Sequence, residues 1–302
     1  MSIASQASEI TLPATNQGWL TVLQFLCSQF PFISEAVWRE RIAAGKVHWF
    51  NGATIDENTP FLPSRRLCYY REVVAEPKIP FAHGIIYQDE HILVADKPHF
   101  LPVTPGGDFV NECLLQRLKN ETGLTELVPV HRLDRDTAGL VLFSKNTQSR
   151  AAYYQLFSQG QIAKTYQALA RVDAQMAALP LPKQWQLTNR IEKAEPRFLN
   201  AIVAGEANAH STIELLQVTQ GMGLFRLTPH TGKTHQLRLH MQSLGCPILH
   251  DAYYPTLKPK NTSDFSQPLQ LLAAELSFTD PLTGAARQFN SAQQLQIPSL
   301  NH

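Results

Sequence analysis

Two hydrophobic periods alternate along the chain, and the points where they switch divide it into elements. Apolar positions spaced by three and four in WLTVLQFLCSQF (19–30) and SEAVWRERIAAG (34–45) predict two short amphipathic helices, the second opened by Ser34 as N-cap and stopped by Gly45. KVHWF, the turn Asn51-Gly52 and extended chain as far as RRLCYYREV predict a hairpin. The proline-containing AEPKIPFAHG marks a boundary. Beyond it GIIYQ and ILVADKP read as strands, and NECLLQRLKNETG and SRAAYYQLFSQG as helices. KTYQALARV reads as a strand, DAQMAALPLPKQW as a loop-rich excursion, HSTIELLQVTQ and GLFRLTPH as further strands, and YPTLKPKNTSDFSQP as a long polar loop. Strands and helices mix without regular alternation, so the fold class expected is α+β rather than doubly wound α/β.

Composition narrows the class. The 302 residues are 44% hydrophobic and 17% charged, enough for one large core and a smaller domain. No run approaches the ~20 apolar residues of a membrane span, and the polar start MSIASQASEITLPATNQ lacks the pattern of a signal peptide, so a cytoplasmic protein with no membrane partner is expected. Cys27, Cys68, Cys113 and Cys246 lie far apart, which argues for reduced thiols over a disulfide framework or zinc knuckle. A formal net charge of +1 leaves a nucleic-acid partner to be decided by local patches.

The densest charge is in HRLDRDTAGL (131–140), just before the apolar run LVLFS. Asp136 and Thr137 suit local backbone hydrogen bonds in a turn. Asp134 is either a surface charge balanced by Arg132 and Arg135 or a nucleophile or base at the mouth of a strand. Leu133 interrupts the kinase-like His-Arg-Asp, and neither a glycine-rich phosphate loop nor Asp-Phe-Gly occurs, so kinase chemistry is excluded. In TPHTGKTHQLRLH (228–240), the apparent P-loop has Leu227 where glycine is needed. His230, His235 and His240 are five residues apart with no glutamate among them, so they do not share a helix face and no metal is expected. From Thr228 to His250 there are one lysine, one arginine and four histidines with no acid until Asp251, a positive stretch suited to a phosphate-rich ligand.

DEHILVADKPHFLPVTPGG, HRLDRDTAGL, KTYQAL and TGKTHQLRLHMQSLGCPILHDAYY, in that order, resemble the successive motifs of the RluA family of RNA pseudouridine synthases. The resemblance runs from about Gly84 to LLAAELSFTDPLTG; the N-terminal region resembles more weakly a small S4-like RNA-binding domain. It implies an S4-like helix-hairpin domain over 1–76 with the first ~15 residues flexible, a linker at 77–83, and a catalytic domain over 84–302. It further implies a mixed, largely antiparallel, bent β-sheet flanked by helices, no metal, no organic cofactor, a monomer, and ribosomal or transfer RNA as partner. By position, Asp134 matches the catalytic aspartate, Arg238 the arginine paired with it through a two-toothed contact that keeps the carboxylate charged and directed, and Tyr166 the tyrosine that stacks on the target base and is a candidate acceptor of the C5 proton. Arg132 matches an arginine near the space left by a flipped nucleotide, and Lys233 and His235 are further candidate RNA contacts. Three departures stand out: Ala138 where serine is usual, Lys233 where arginine is usual, and KPHFLPV in place of lysine-proline-x-glycine.

Between Glu35 and Glu72 there are six basic residues (Arg39, Arg41, Lys46, Arg65, Arg66, Arg71) against five acidic (Glu35, Glu40, Asp56, Glu57, Glu72), a slight excess. The module there serves either RNA binding or packing alone. Two other functions remain open: a catalytically silent RNA-binding protein on the same fold, and a metal-dependent hydrolase using the histidines. Intact Asp134, Tyr166 and Arg238 argue against the first, and the missing acidic ligand cluster against the second.

Overall fold

Proline at 77, 80 and beyond denies the backbone regular hydrogen bonding, and there one compact unit gives way to another. A computed structural model describes residues 2–259 and 264–295, and divides into a unit of residues 2–76 with 106–111 and a unit of residues 77–105 with 112–295. Residues 77–83, expected as a linker, belong to the second unit. Residues 106–111 join the first because Arg71 donates to the Gly107 carbonyl at 2.7 Å and Glu76 accepts the Val110 and Asn111 N–H groups at 2.6 and 2.7 Å.

In the first unit, strands β1 (Ser2–Ile3) and β2 (Ser8–Thr11) precede helices α1 (Val22–Gln29) and α2 (Glu35–Ala43), followed by β3 (Val47–Trp49), β4 (Arg66–Tyr69) and β5 (Glu72–Val73). Ser34 caps α2 by accepting the Val37 N–H, and Gly45, at φ +69°, follows its end. Helix α1 starts three residues later than its apolar pattern, because the Thr21 side chain accepts the Gln24 N–H and caps it there. The first fifteen residues, expected to be flexible, instead supply β2, which pairs antiparallel with β4, and β1, which pairs with β5. Strand β4 also receives β3, so the anticipated hairpin joins the edge strand β3 to the central strand of a three-stranded sheet, whose Leu67 packs with Trp38, Phe25 and Leu26.

The second unit is built on strands β6 (Gly84–Gln88), β7 (Ile92–Lys97), β8 (Val128–Pro129), β9 (Ala138–Ser144), β10 (Ala163–Arg171) and β11 (Lys183–Lys193). These continue as β12 (Asn200–Val203), β13 (Ala209–Thr219), β14 (Met222–Pro229), β15 (Leu271–Thr279) and β16 (Ala286–Asn290). They form one 11-stranded sheet in the order β12-β11-β13-β14-β10-β15-β9-β7-β6, with β16 on β15 and β8 on β9. Every pairing is antiparallel except β15 with β9, so the sheet is mixed and largely antiparallel. Among the described residues four helices accompany it: α3 (Leu114–Thr122), α4 (Thr147–Ser158), α5 (Ala174–Ala177) and α6 (Gln236–Ser243). The excursion read as loop-rich contains α5, capped by Asp173, and the start of β11. The polar loop falls partly at residues 260–263, outside the described residues.

Strands β7 and β9 are buried at every position, which is why their sequences read as apolar runs rather than alternations. Helix α6 lays Leu237 and Met241 against Ala168, Ile213, Phe225 and Leu227 of the sheet. No helix among the described residues is long and apolar enough to cross a membrane.

The β9–β15 pairing depends on one glycine. Gly139 has φ +111°, and a Cβ there would sit 2.2 Å from the Ala273 carbonyl oxygen. We expect Gly139→Ala to destabilise the protein by about 3 kcal/mol, since neither backbone can yield without breaking the pairing. A chemical denaturation midpoint equal to that of the parent would contradict this close approach.

Candidate active site

The turn before β9 and the turn before α6 meet at one cavity of about 430 Å³. Its walls include all six residues singled out in the sequence: Arg132, Asp134, Tyr166, Lys233, His235 and Arg238. Asp134 is held by its turn, in which Thr137 donates its N–H to the Asp134 carbonyl, while its carboxylate keeps 27% exposure. Asp136 is buried, accepts from Arg135 Nε at 2.8 Å, and faces away from solvent. His131 is structural: its Nε2 accepts the Leu142 N–H, its ring stacks on Phe157, and burial, helped by the charge of Lys164, pushes it down to about 3.

The geometry around Arg238 corrects one expectation. The two-toothed partner of Arg238 is Asp251, with Nε and Nη2 donating at 2.7 and 2.5 Å, while Nη1 makes a single longer contact of 3.4 Å to Asp134. The cause is access: Arg238 projects from buried α6 and is 2% exposed, and the equally buried Asp251 lies directly across from its fork. Burial alone would lower the guanidinium pKa, but Asp251, followed by Asp134 and Asp136, more than reverses that and holds the proton more tightly than usual. Asp251 is itself oriented by the N–H groups of Tyr253 and Tyr254, and the rings of those tyrosines lie 4.5 and 5.4 Å from the guanidinium. In sequence, the visible trace of Asp251 was that it ends a long acid-free stretch.

His235 stands at the N-terminus of α6 with φ +59°, its Nδ1 2.8 Å from the Tyr254 hydroxyl and its Nε2 3.8 Å from Asp134. Burial lowers its pKa. Lys233 and Arg132 are exposed at the rim. Gln236 organises the Lys233 turn by accepting the Lys233 N–H and the Thr231 hydroxyl while donating to Ser211 and the His210 carbonyl. Tyr166 enters from β10 where the β10–β15 register slips between Thr165 and Tyr166, a bulge that re-aims the ring. Burial, then the charge of Asp134, raises its pKa, so the phenol is neutral.

Behind the cavity lies Lys97, wholly buried, whose ammonium donates to the carbonyls of Pro98, Leu101 and Arg135 at 2.7–2.9 Å. Burial pushes it down to about 7, opposed by Asp136 and Asp134. It ties the segment after β7 to the backbone beside Asp134. The other histidines disperse: His230 meets Thr212 and His240 meets Asn189. Among the described residues no group of three or more His, Cys, Asp or Glu is placed to hold a metal ion.

Comparison with known proteins agrees on one family. The profile described as RNA pseudouridylate synthase matches residues 91–243. An uncharacterized RNA pseudouridine synthase of Synechocystis sp. is 30% identical over 77% of this chain and 79% of its own. The dual-specificity RNA pseudouridine synthase RluA of Haemophilus influenzae is 34% identical over 68% and 91%. Among solved structures, human RNA pseudouridylate synthase domain containing 4 superposes with a TM-score of 0.53 at 25% identity, covering 70% of this chain and 88% of that one.

The pairing with Asp251 is open to test. Asp251→Asn keeps the shape but removes the charge that compensates a buried guanidinium, and breaking such a pair costs roughly 3–5 kcal/mol. We expect a denaturation midpoint lowered accordingly; an unshifted midpoint would mean that Asp134, not Asp251, carries the arginine.

Proposed function

The chain belongs to the RNA pseudouridylate synthase family and isomerises uridine in RNA to pseudouridine, and we propose that Asp134 is the group through which it does so. The observation that carries this is the unequal sharing of Arg238. Asp251 takes the fork, and Asp134 receives one longer contact, so its carboxylate is directed yet retains an open face toward the cavity. The reaction breaks the bond from uracil N1 to ribose C1′, turns the base, joins C5 to C1′ and releases the C5 proton. An ionised carboxylate serves it by attacking C1′, with N1 leaving, or by taking the C2′ proton to give a glycal. A primary isotope effect from C2′-deuterated uridine belongs to the second route alone.

In this reading Tyr166, a neutral phenol at a bulge, offers its ring face to the flipped uracil, and Arg132, Lys233 and His235 meet the surrounding RNA. All these groups come from one chain, so a monomer suffices, and the chemistry requires neither metal nor organic cofactor. We read the substrate as structured ribosomal or transfer RNA; one relative, the ribosomal large subunit pseudouridine synthase C of Rickettsia bellii, is 30% identical over 65% of this chain. A protein confined to the cytoplasm fits that substrate.

We also read the first unit as an S4-like RNA-binding domain, with a modest contribution. Four of its six basic residues noted above are committed to carboxylates: Arg39 to Glu35 and Glu57, Arg41 and Lys46 to Glu72, and Arg66 to Glu9. Arg65, laid over Trp49 at 4.8 Å, and Arg71, which donates to the Gly107 carbonyl, form no ion pair among the described residues and are the candidates for phosphates.

Two experiments follow. Pseudouridine mapping of total RNA from cells lacking the gene should lose one or more sites that the parent gene restores and Asp134→Asn does not, although the variant stays folded; restoration by Asp134→Asn would remove that residue from the mechanism. For the first unit, replacing Arg65 and Arg71 together by glutamine should flatten the dependence of log affinity on log salt by about two, one per phosphate. An unchanged slope would favour a packing role.

A further inference from the structure

The segment that follows Lys97 holds a conformational cost that the reaction centre does not use. Phe100 has φ +66°, a left-handed backbone that a bulky L-residue adopts at a cost of roughly 1–3 kcal/mol. This is the position where lysine-proline-x-glycine motifs place glycine, and the backbone is locked there from both sides. Lys97 grips the carbonyls of Pro98 and Leu101, and His99 Nδ1 lies 2.8 Å from the Asp136 carbonyl. A glycine would sit in that conformation without strain, so the strain is specific to the ring.

The ring is not spent on the core. Phe100 is half-buried and meets two other phenylalanines: Phe81, near-parallel at 6.1 Å between centroids, and Phe265, edge-on at 5.2 Å. Phe81 is 38% exposed and Phe265 is half-buried. Phe265 also meets Phe81 edge-on at 5.8 Å, so the three rings close into one patch. Phe81 lines a cavity of about 630 Å³ together with Lys78 and Arg117. Arg117 is bound to Glu112 and to the Phe81 and Ile79 carbonyls, whereas exposed Lys78 forms no ion pair among the described residues. None of the three rings lines the cavity that holds Asp134, but His99 ties their segment to the Asp136 backbone, two residues from it.

We infer that Phe81, Phe100 and Phe265 form a stacking platform for an unpaired base of the RNA substrate, outside the reaction cavity, with Lys78 meeting the adjoining phosphate. The occupant follows from the chemistry of the patch. The chain acts on RNA, an exposed aromatic face beside a free cation is the combination that holds single-stranded nucleotides, and the patch is continuous with the turn that carries Asp134. The platform rests on the Asp134 reading only for its distance from the reaction, and it binds whether or not Asp134 reacts.

The test uses full-length protein and a fluorescein-labelled twelve-residue oligouridine, read by anisotropy. Phe81→Ala should weaken binding roughly 5- to 150-fold, the equivalent of one stacked base. Phe100→Gly should weaken it similarly while keeping or raising the melting temperature, and Phe100→Tyr, which keeps the face, should bind like the parent. Oligouridine carrying 5-iodouridine should photocrosslink to these rings in the parent and in Asp134→Asn alike. Affinities of Phe81→Ala and Phe100→Gly equal to the parent overturn the platform, as does crosslinking confined to Tyr166. Should Phe100→Gly fail to fold, Phe81→Ala decides, because Phe81 lies at the surface. Pseudouridine formation is measured separately: a parent that binds through the rings but is unaffected in turnover by Asp134→Asn would sink the Asp134 reading and leave the platform standing.

Discussion

One buried cation sets the terms for the reaction cavity. Removing a guanidinium from water costs several kcal/mol even after relaxation, and Arg238 is almost wholly buried, so the fold must supply compensating acceptors wherever that side chain goes. Asp251 does this with both oxygens while taking two backbone N–H groups of its own. The consequence falls on Asp134. A carboxylate that carried the full fork would be poorly available as nucleophile or base, whereas one at 3.4 Å from a spare Nη is steered without being consumed. Two acids therefore share one arginine: Asp251 anchors it, and Asp134 is left as the reacting group of the proposed mechanism.

Directing a carboxylate is useful only if the backbone beneath it is stiff, and the sheet supplies that. Strand β9 leaves the Asp134 turn fully buried, hydrogen-bonds to β7 along its length, and reaches β15 through the contact of Gly139 with Ala273. Lys97 closes the turn from behind by holding the Arg135 carbonyl. The register slip at Thr165 and Tyr166 serves to turn one ring toward the cavity. Rigidity on three sides and a bulge on the fourth give a cavity whose shape is set before RNA arrives.

Much of this was legible in the sequence, and the rest failed for identifiable reasons. The caps of α2, the apolar runs of β7 and β9 and the alternation in β13 are local signals, so their elements could be read directly. The strand at Ser8–Thr11 was missed because its partner, β4, lies far along the chain and its own four residues carry little pattern. All six candidate residues line one cavity, since each sits in a motif with a distinct local signature. Asp251 escaped because nothing within thirteen residues of Arg238 says that a helix and the loop after it will face each other. The bulge at Tyr166 is likewise a property of two strands, and one strand's sequence does not encode it.

The same burial that fixes the arginine also decides which groups around the cavity are charged. His131 is pushed down to about 3, His235 is lowered, and the Tyr166 phenol is raised, each chiefly by loss of water. At pH 7 both histidines and the tyrosine are therefore neutral, and the group behind the cavity pushed down to about 7 is Lys97. Beside these groups stand the ion-paired Arg238, Asp251 and Asp134, with Lys233 and Arg132 at the rim. In the proposed reading, a uridine approaching the cavity meets positive rim charges suited to its phosphates, then neutral aromatic walls suited to its base, and at the bottom one directed carboxylate suited to its ribose. That ordering from outside to inside matches the order of parts a flipped nucleotide presents, and a chain with a net charge of only +1 achieves it by placement rather than by excess.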